Sequence, residues 1–523
     1  MPHRFKQVIR PTADTKSLYI KDLLHGEPAN GLHDLIGIGF GPASLAIAVA
    51  IYDEIEERAS HGSINFRPAL KFLERQSAFG WHTGMLLPDT KMQISFIKDL
   101  ATMRNPASHF TFLNYLQEHN RLVQFSNLNT FLPLRVEFED YLKWSAGHFK
   151  DIVQYSRDVV GVRPLRLNDS SKYNCLEVTS RNNSTGEVNV QLGRNVIIAV
   201  GGRPSWPAVF PQHHRAVMHS SQYNYRIDDV LPKKDGDYNI AVIGAGQSGA
   251  EIFNDLHSRY PNSKTHLLIR DVAMRPSDDS PFVNEVFNPD FVDQFYTTPA
   301  TIRKNQLKVN KATNYSVVRL TLLEQIYEDM YQQRLEDPDS ENWQHRILSS
   351  REVVEVTETS EKERLNLVVR SLVDEGNCQE VISVDAVVLA TGYVRDVHNE
   401  MLKECKIINS SCDDEWIPER DYKLGLNRDL VEDDVNIYLQ GCNEQTHGLS
   451  DTLLSVLATR GGEIAKSVFG GALLEANVRD LVQSTGLNGP LGPLWKLHKT
   501  QGVSIPTKVT ESSSVQTQTA VKA

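Results

Sequence analysis

Two glycine-rich stretches hold the residues best placed to do chemistry. Gly244-Ala245-Gly246-Gln247-Ser248-Gly249 fits GxGxxG, and Gly37-Ile38-Gly39-Phe40-Gly41-Pro42 fits all but its last glycine. Where such a turn joins a strand to a helix, backbone N–H groups and the helix dipole receive a pyrophosphate. The ribose is then read at the end of the next strand, about 20 residues on. After the second turn that position is Arg270, at 270 − 249 = 21, followed by Asp271. An arginine there donates bidentately to a 2′-phosphate, whereas an aspartate accepts from the 2′-hydroxyl of NAD. Arg270 ends the apolar run HLLIRD (266–271), so NADPH is the expected reductant, with Asp271 and NAD as the alternative.

After the first turn, ALKFLERQ (69–76) reads as a strand ending on Glu74, at 74 − 41 = 33. A helix end and loop across 54–65 account for the longer spacing. Glu74 is a candidate acceptor for a ribose hydroxyl, its alternative being a plain surface carboxylate. Pro42 stands where the third glycine belongs, which the first turn of a helix tolerates because the missing N–H needs no partner.

Two dinucleotide sites in one chain imply electron transfer between two cofactors, NADPH and a flavin. A flavin passes electrons to oxygen or to a dithiol. The five cysteines, Cys175, Cys378, Cys405, Cys412 and Cys442, form neither CxxC nor CxxxxC. This argues against a disulfide reductase, a zinc site and a disulfide framework, and leaves oxygen or an external acceptor.

The elements that must position these residues follow from hydrophobic patterning. HDLIGIGFGPASLAIAVAI (33–51) and YNIAVIGAGQSGAEIF (238–253) each run from an apolar strand through a glycine turn into an alanine-rich helix. RNVIIAVGGRPSWP (194–207) and VDAVVLATGYVRD (384–396) read as central strands of parallel sheets. The expected fold is α/β: two Rossmann-like dinucleotide-binding domains, for FAD and NADPH, with a small, mostly helical substrate-binding insertion. The expected boundaries are a tail at 1–29, the FAD domain at 30–207 and 391–480, the NADPH domain at 208–274 and 326–390, the insertion at 275–325, and a largely disordered tail at 481–523. VTETSEKER (356–364) reads as a solvated turn, and TKVTESSSVQTQTAVKA (507–523) as a disordered end.

A chain of 523 residues suits two or three domains, and a formal charge of −11 argues against nucleic acid or an anionic membrane as a partner. Leu35 to Tyr52 carries no charge, but its GIGFGP opening fits a soluble strand–turn–helix better than a membrane span. The N-terminus MPHRFKQVIRPTADTK has no apolar signal region and the chain ends VKA rather than SKL, so a cytoplasmic enzyme is expected. No metal site is expected.

Several longer stretches resemble the flavin-dependent N-hydroxylating monooxygenases, in their L-ornithine N5-hydroxylating branch. They are FLERQSAFGWHTGMLLPDTKMQISFIKDLATMRNP (72–106), DSPFVNEVFNPDF (279–291), KATNYSVV (311–318), DAVVLATGY (385–393) and HGLSDTLLSVLATRGGE (447–463). The resemblance runs from about residue 30 to 480 and implies NADPH- and O2-dependent hydroxylation of ornithine through a flavin C4a-hydroperoxide, the first step of hydroxamate siderophore biosynthesis. It implies FAD contacts at Gly39 and Gly41, at Glu74, Arg75, Gln76, Ser77, Ala78, Phe79, Gly80, Trp81 and His82, at Gln93 and Val159, and at Thr452, Leu453 and Leu454. For NADP it implies Ala245, Gly246, Gln247, Ser248, Arg270, Asn314, Tyr315 and Ser316. For ornithine it implies Lys98, Asn284, Glu285, Val286, Phe287, Asn314 and Ser455, with the flavin rather than a side chain as the catalytic group. LSDTLLS would start a helix whose N-terminus faces the flavin, and Lys98 would sit on a helix FIKDL. A homotetramer is also implied. Lysine as substrate, or an NADPH oxidoreductase without N-hydroxylation, stays open. HHRAVMHSSQY (213–223) keeps His219, Ser220 and Tyr223 of the wider flavin-monooxygenase motif FxGxxxHSxxY but has His213 and Arg215 where Phe and Gly belong. That weakens a Baeyer–Villiger reading and leaves His219 as a linker contact or a catalytic group.

Overall fold

The computed structural model describes residues 20, 23–24, 26–60, 67–359, 364–374, 378–411 and 415–470. The tail at 481–523, Cys412 and the residues 360–363 lie outside the described residues. The first sheet takes β1 (Leu32–Ile38), β2 (Leu70–Leu73), β3 (Val153–Gln154), β4 (Arg157–Leu165), β5 (Cys175–Asn182) and β6 (Val188–Ile198) in the order β3-β2-β1-β6-β5-β4. The first four in that row are parallel, and β6, β5 and β4 are antiparallel.

Successive residues of a strand point to opposite faces. Leu35, Phe72 and Ile197 accordingly enter one core, while Ile36, Ile38, Leu73 and Val196 enter another. Covered on both faces, these strands need the continuous apolar runs seen in the sequence. Leu35 to Tyr52 is thus β1, the turn and the start of α1 (Pro42–Ser60), buried within its own domain. No described helix is long and apolar enough to cross a membrane. α2 (Arg135–Gly147) lies beside α1. The expected N-terminal tail is corrected in part: Ile20, Leu23 and Leu24 are buried in the first core, because apolar side chains there have a surface to cover.

The chain leaves through β7 (Arg203–Pro204) and enters the second sheet at β8 (Val217–His219). β9 (Asn239–Ile243) and β10 (Lys264–Leu268) follow, with α3 (Gln247–Arg259) between them. β11 (Arg275–Pro276) pairs with β12 (Val317–Val318), closing an excursion that holds α4 (Phe291–Thr297) and α5 (Ala300–Asn310). The expected boundary at 325 is corrected: it falls inside α6 (Leu320–Glu336), whose Ile326 belongs to the second domain's core and whose body packs on α3.

β13 (His345–Leu348) is followed by an antiparallel sheet, β14 (Arg351–Glu358), β15 (Leu365–Ser371) and β16 (Gln379–Val384). Part of the expected turn at 356–364 is therefore strand: Val356 faces Leu367 across the ladder, and that pairing overrides its polar neighbours. β17 (Ala386–Leu389) completes a fully parallel sheet in the order β13-β10-β9-β17-β8. β18 (Tyr393–Val394) then pairs with β7, so the two crossings between domains run side by side. β19 (Asn436–Leu439) returns to the first sheet alongside β6, and a helix occupies 457–470.

Candidate functional site

The first glycine turn is shaped by close approach. A Cβ on Gly37 would lie 2.2 Å from the Phe72 ring, and one on Gly39 (φ 85°) 2.7 Å from the Ala199 carbonyl oxygen. A Cβ on Gly41 would meet nothing within 4 Å, leaving open the face of the turn that a pyrophosphate needs. Pro42 is the first helical residue of α1, as its missing N–H allows. Glu74, 7% exposed, accepts the Phe40 N–H of this turn (2.7 Å) on one carboxylate oxygen and the Gln76 N–H (2.8 Å) on the other. A carboxylate has about four lone-pair sites, so two remain for ribose hydroxyls.

From Glu74 the chain runs over the turn. Arg75, Gln76, Ser77 and Ala78 are exposed, Phe79 is anchored in the core, and Gly80 precedes Trp81, which packs edge-on against Phe138 at 6.2 Å. His82 has a left-handed backbone (φ 47°) and its ring faces Tyr393 at 5.6 Å. Although open to the cleft, it is surrounded by protein, and desolvation with help from Arg135 and Arg395 lowers its pKa to about 4. Tyr393 also faces His219 at 5.2 Å, and His219 Nε2 lies 3.0 Å from the Gly392 carbonyl oxygen. His219 thus joins the two crossings, which favours the linker role. Val159 is buried in the second core of the first domain, beside a bulge in β4, so only its backbone is free to meet a cofactor. Gln93 is exposed beside Met92.

The second turn is tighter. A Cβ on Gly249 would lie 2.2 Å from the Gly244 oxygen, and one on Gly244 (φ 131°) 2.4 Å from the Ala390 oxygen. Ala245 to Ser248 form its half-buried rim, with Gly246 as the N-cap of α3 and the Ser316 Cα 3.6 Å from where its Cβ would be. Gln247 donates to Glu251 (2.7 Å) and accepts the Arg319 N–H (2.9 Å), while Arg319 reaches the Met92 carbonyl (3.1 Å). Glu251 is held bidentately by Arg135 of the first domain (2.7 and 2.9 Å). Burial pushes the Glu251 carboxyl up and Arg135 opposes that.

Arg270 lies two residues beyond β10, which stops at Leu268, and its side chain is 75% exposed. It pairs with Glu352 at 2.6 Å, a surface contact weak enough to yield to a phosphate. Asp271 is exposed and its carbonyl accepts the Ser350 N–H.

The expected FIKDL helix is corrected: residues 96–100 form turns and bends. The buried Asp99 carboxylate takes the N–H groups of Ala101, Thr102 and Phe112 at 2.6–2.9 Å, competing with helical hydrogen bonds and presenting the half-buried Lys98 from a fixed loop. In the insertion, Asn284 ends a short helix and donates to the Ser280 oxygen (3.2 Å). Glu285 is exposed, Val286 half-buried and Phe287 buried, and this turn packs on Leu449–Thr452. Asn314 is half-buried, and Ser316 takes a left-handed backbone (φ 58°). Tyr315 donates to Glu444 and lies 3.4 Å from Thr452 Oγ1, which donates to Glu444 at 3.0 Å. These contacts bring the NADP-side loop onto the FAD-side return segment.

The helix expected from LSDTLLS is also corrected. Two 3-10 turns, Leu449–Thr452 and Leu454–Val456, are separated by an extended Leu453 (φ −105°, ψ 161°), and the α-helix begins only at 457. Ser455 is buried and its hydroxyl has no partner, as is the case for both polar atoms of the Gln440 side chain at the end of β19 and for Ser44 Oγ in the first turn of α1. Orphaned buried polar groups beside an open turn fit a polar cofactor and substrate.

Glu444, Gln440, Arg319, Asp99 and the Arg135–Glu251 pair are the polar residues here that sequence reasoning did not single out. Asp451 and Arg460 were inside a quoted stretch without a role. A separate cavity of about 1200 Å3, lined by Asp53, Met103, Arg104, Glu463, Lys466 and Phe469 among others, contains none of the expected site residues. Among the described residues no cluster of His, Cys, Asp and Glu could hold a metal ion.

Residues 31–395 match the family model described as L-lysine 6-monooxygenase/L-ornithine 5-monooxygenase. An L-ornithine N(5)-monooxygenase from Emericella nidulans is 51% identical over 457 residues, covering 86% of this chain and 92% of that protein. Among solved structures, an ornithine hydroxylase from Pseudomonas aeruginosa is 37% identical with a TM-score of 0.74, covering 84% of this chain and 99% of that one. A Kutzneria ornithine N-hydroxylase solved with reduced FAD, NADP+ and L-ornithine is 33% identical with a TM-score of 0.74, again covering 84% and 99%. With two glycine-turn cradles in one chain and matches of this extent, the chain belongs to the L-lysine 6-monooxygenase/L-ornithine 5-monooxygenase family.

Proposed function

We propose that this protein hydroxylates the side-chain amine of L-ornithine to N5-hydroxy-L-ornithine, consuming NADPH and O2, as the first step of hydroxamate siderophore biosynthesis. The observation that carries the reading is the 51% identity, over most of both chains, to an L-ornithine N(5)-monooxygenase. The similarity to a lysine 6-monooxygenase structure from Pseudomonas syringae is lower, 26%. FAD, when bound, supplies the redox chemistry between NADPH and oxygen.

The chain's own residues bind, orient and exclude water. Gly39, Gly41 and Glu74 to His82 hold the FAD, with Gln93, the Val159 backbone and Thr452 to Leu454 completing its site. Ala245 to Ser248, Arg270 and Asn314 to Ser316 hold NADPH. Lys98 pairs with the ornithine carboxylate, and Asn284 to Phe287, Asn314 and Ser455 form the rest of the pocket. The reacting amine must be neutral although its free pKa is about 10.4. A desolvated pocket offering neutral Asn and Ser partners favours loss of that proton. A cytoplasmic homotetramer fits the family resemblance, and light scattering tests the oligomer.

The experiment is to incubate FAD-loaded protein with NADPH and, in separate tubes, ornithine or lysine, measuring hydroxylamine and peroxide together. Hydroxylamine from ornithine with little peroxide supports the reading. NADPH loss that yields only peroxide with ornithine refutes the substrate assignment. Faster hydroxylation of lysine selects the other branch of the family.

A further inference from the structure

The return segment that carries Thr452 to Ser455 has little to hold its shape. It consists of two 3-10 turns with an extended residue between them, and 3-10 geometry gives poorer hydrogen bonds than an α-helix and runs for only a few residues. Besides the Thr452–Glu444 bond and the packing of the insertion turn, what ties it to the fold is one carboxylate. Asp451 Oδ2 accepts the Asn443 N–H at 2.7 Å, and Oδ1 lies 3.0 Å from Arg460 Nη1. The same Nη1 donates to the Asp451 carbonyl oxygen. Asn443 in turn donates to the Leu439 oxygen at 2.8 Å, so the tie runs from the end of β19 through the loop to the helix at 457–470.

This is the most buried of the described ion pairs, with Asp451 0% and Arg460 3% exposed at the side chain. It is also incompletely satisfied, since Arg460 Nε is buried without a partner. Desolvating two charges offsets much of their mutual attraction, so such a pair is a poor device for stability and a better one for selecting a single conformation. The conformation selected here sets Thr452 Oγ1 within reach of Glu444, Tyr315 and the Leu449 carbonyl and leaves the Ser455 hydroxyl inward and unpartnered.

We propose that Arg460, acting through Asp451, is a positioning residue that fixes the Leu449–Val456 loop so that NADPH oxidation is coupled to amine hydroxylation. The proposal rests on the ornithine-hydroxylase reading above. In the coupled reaction NADPH, H+, O2 and the amine give NADP+, water and the hydroxylamine. When the amine is misplaced, the same NADPH, H+ and O2 give NADP+ and hydrogen peroxide.

The test compares FAD-loaded wild type, Arg460→Lys, Asp451→Asn and the double variant Asp451→Asn/Arg460→Met, with FAD content, melting temperature, NADPH oxidation, peroxide and hydroxyornithine measured for each. Arg460→Lys keeps the charge, but its shorter, non-planar end does not put a nitrogen where Nη1 meets both the Asp451 carbonyl oxygen and Oδ1. It is expected to retain FAD and to lose coupling about tenfold, with a raised KM for ornithine, because a displacement of about 1 Å costs up to 100-fold in alignment. The double variant removes both buried charges, so it is expected to fold even where a single variant does not, and still to uncouple. A folded, FAD-bound double variant that couples like wild type overturns the proposal. So does a single variant whose reduction, peroxide and hydroxylation rates fall in parallel, the pattern of a merely structural pair. Wild type that makes no hydroxyornithine overturns the functional reading itself, a failure visible before any variant is compared.

Discussion

The two glycine-turn cradles share one plan and differ in how they hold the residue proposed to read the ribose. Glu74 is 7% exposed and already locked to its own glycine turn through the Phe40 N–H. Arg270 is 75% exposed, stands two residues past its strand and leans on a surface acid. The first carboxylate is fixed by the protein itself, whereas the second guanidinium is free to change its partner. That division matches a protein with one resident and one exchanging cofactor. Within each turn the glycines also divide: Gly37, Gly39, Gly244 and Gly249 are pressed against neighbouring atoms, whereas Gly41, at the position of Ser248, faces open space.

The largest effect on this comparison comes from uncoupling the cradles. Glu251→Ala leaves the half-buried Arg135 without its partner and is expected to cost about 3 kcal/mol, the low end for breaking a buried pair. Its signature is a lower melting temperature of the NADPH domain, or two transitions in place of one in calorimetry. Replacing both partners by apolar residues of similar volume should restore most of the loss. If Glu251→Ala melts like wild type, the ion pair does not join the domains.

Next comes the pair of glycine substitutions. Gly249→Ala sets a Cβ 2.2 Å from the Gly244 oxygen, and neither is the tip of a flexible side chain. Overpacking of this kind costs about 1–3 kcal/mol. Gly41→Ala should leave apoprotein stability within about 0.5 kcal/mol, the usual range for substitutions that strain nothing, yet weaken FAD retention, read as the flavin-to-protein absorbance ratio. Equal stability loss in both would abolish the contrast between a packed glycine and an open one.

Smaller still is the effect at the second ribose reader. Arg270→Ala is expected to raise the KM for NADPH about tenfold, roughly what one exposed charge-assisted contact contributes, and to leave the KM for NADH nearly unchanged. A parallel rise for both would move the reader to Asp271 or elsewhere.

Local patterning carried both strand–turn–helix units into the sequence reading, because a strand's alternation and a glycine turn are written within about 15 residues. The same logic expected Glu74 and Arg270 at strand ends; Glu74 directly follows Leu73, the last residue of β2, whereas Arg270 stands two residues past β10. What it could not carry were contacts closed over long separations. Arg135 and Glu251 are 116 residues apart, and Tyr315 and Glu444 are 129. No local period marks such pairs. It also missed places where one buried side chain captures the backbone. Asp99 unmakes the FIKDL helix, and Asp451 accompanies the break at Leu453 that delays the last helix. The antiparallel strands β14 to β16 were hidden because most of their exposed residues are polar and the buried apolar ones, such as Leu365 and Leu367, read as scattered.

The smallest effect at neutral pH lies in the second domain and separates it from the first in acid. His257 and His345 stack with ring centroids 3.5 Å apart. Burial lowers His345 to about 4, and burial together with His345 lowers His257 to about 3. Both values lie below the ordinary 6.5, so the unfolded chain binds these protons first as the pH falls. The pair's contribution is therefore complete above about pH 6.5 and is lost progressively toward pH 4, at about 1.4 kcal/mol per pH unit for each proton taken up. Melting temperature should be flat between pH 8 and 7 and decline below 6.5, with the NADPH domain leading. His345→Gln removes one of the two protons and should flatten that decline. A decline of unchanged slope in His345→Gln would assign the acid sensitivity to other buried histidines, among them His266 on β10 and His447 in the first domain, each lowered to about 4 mainly by burial.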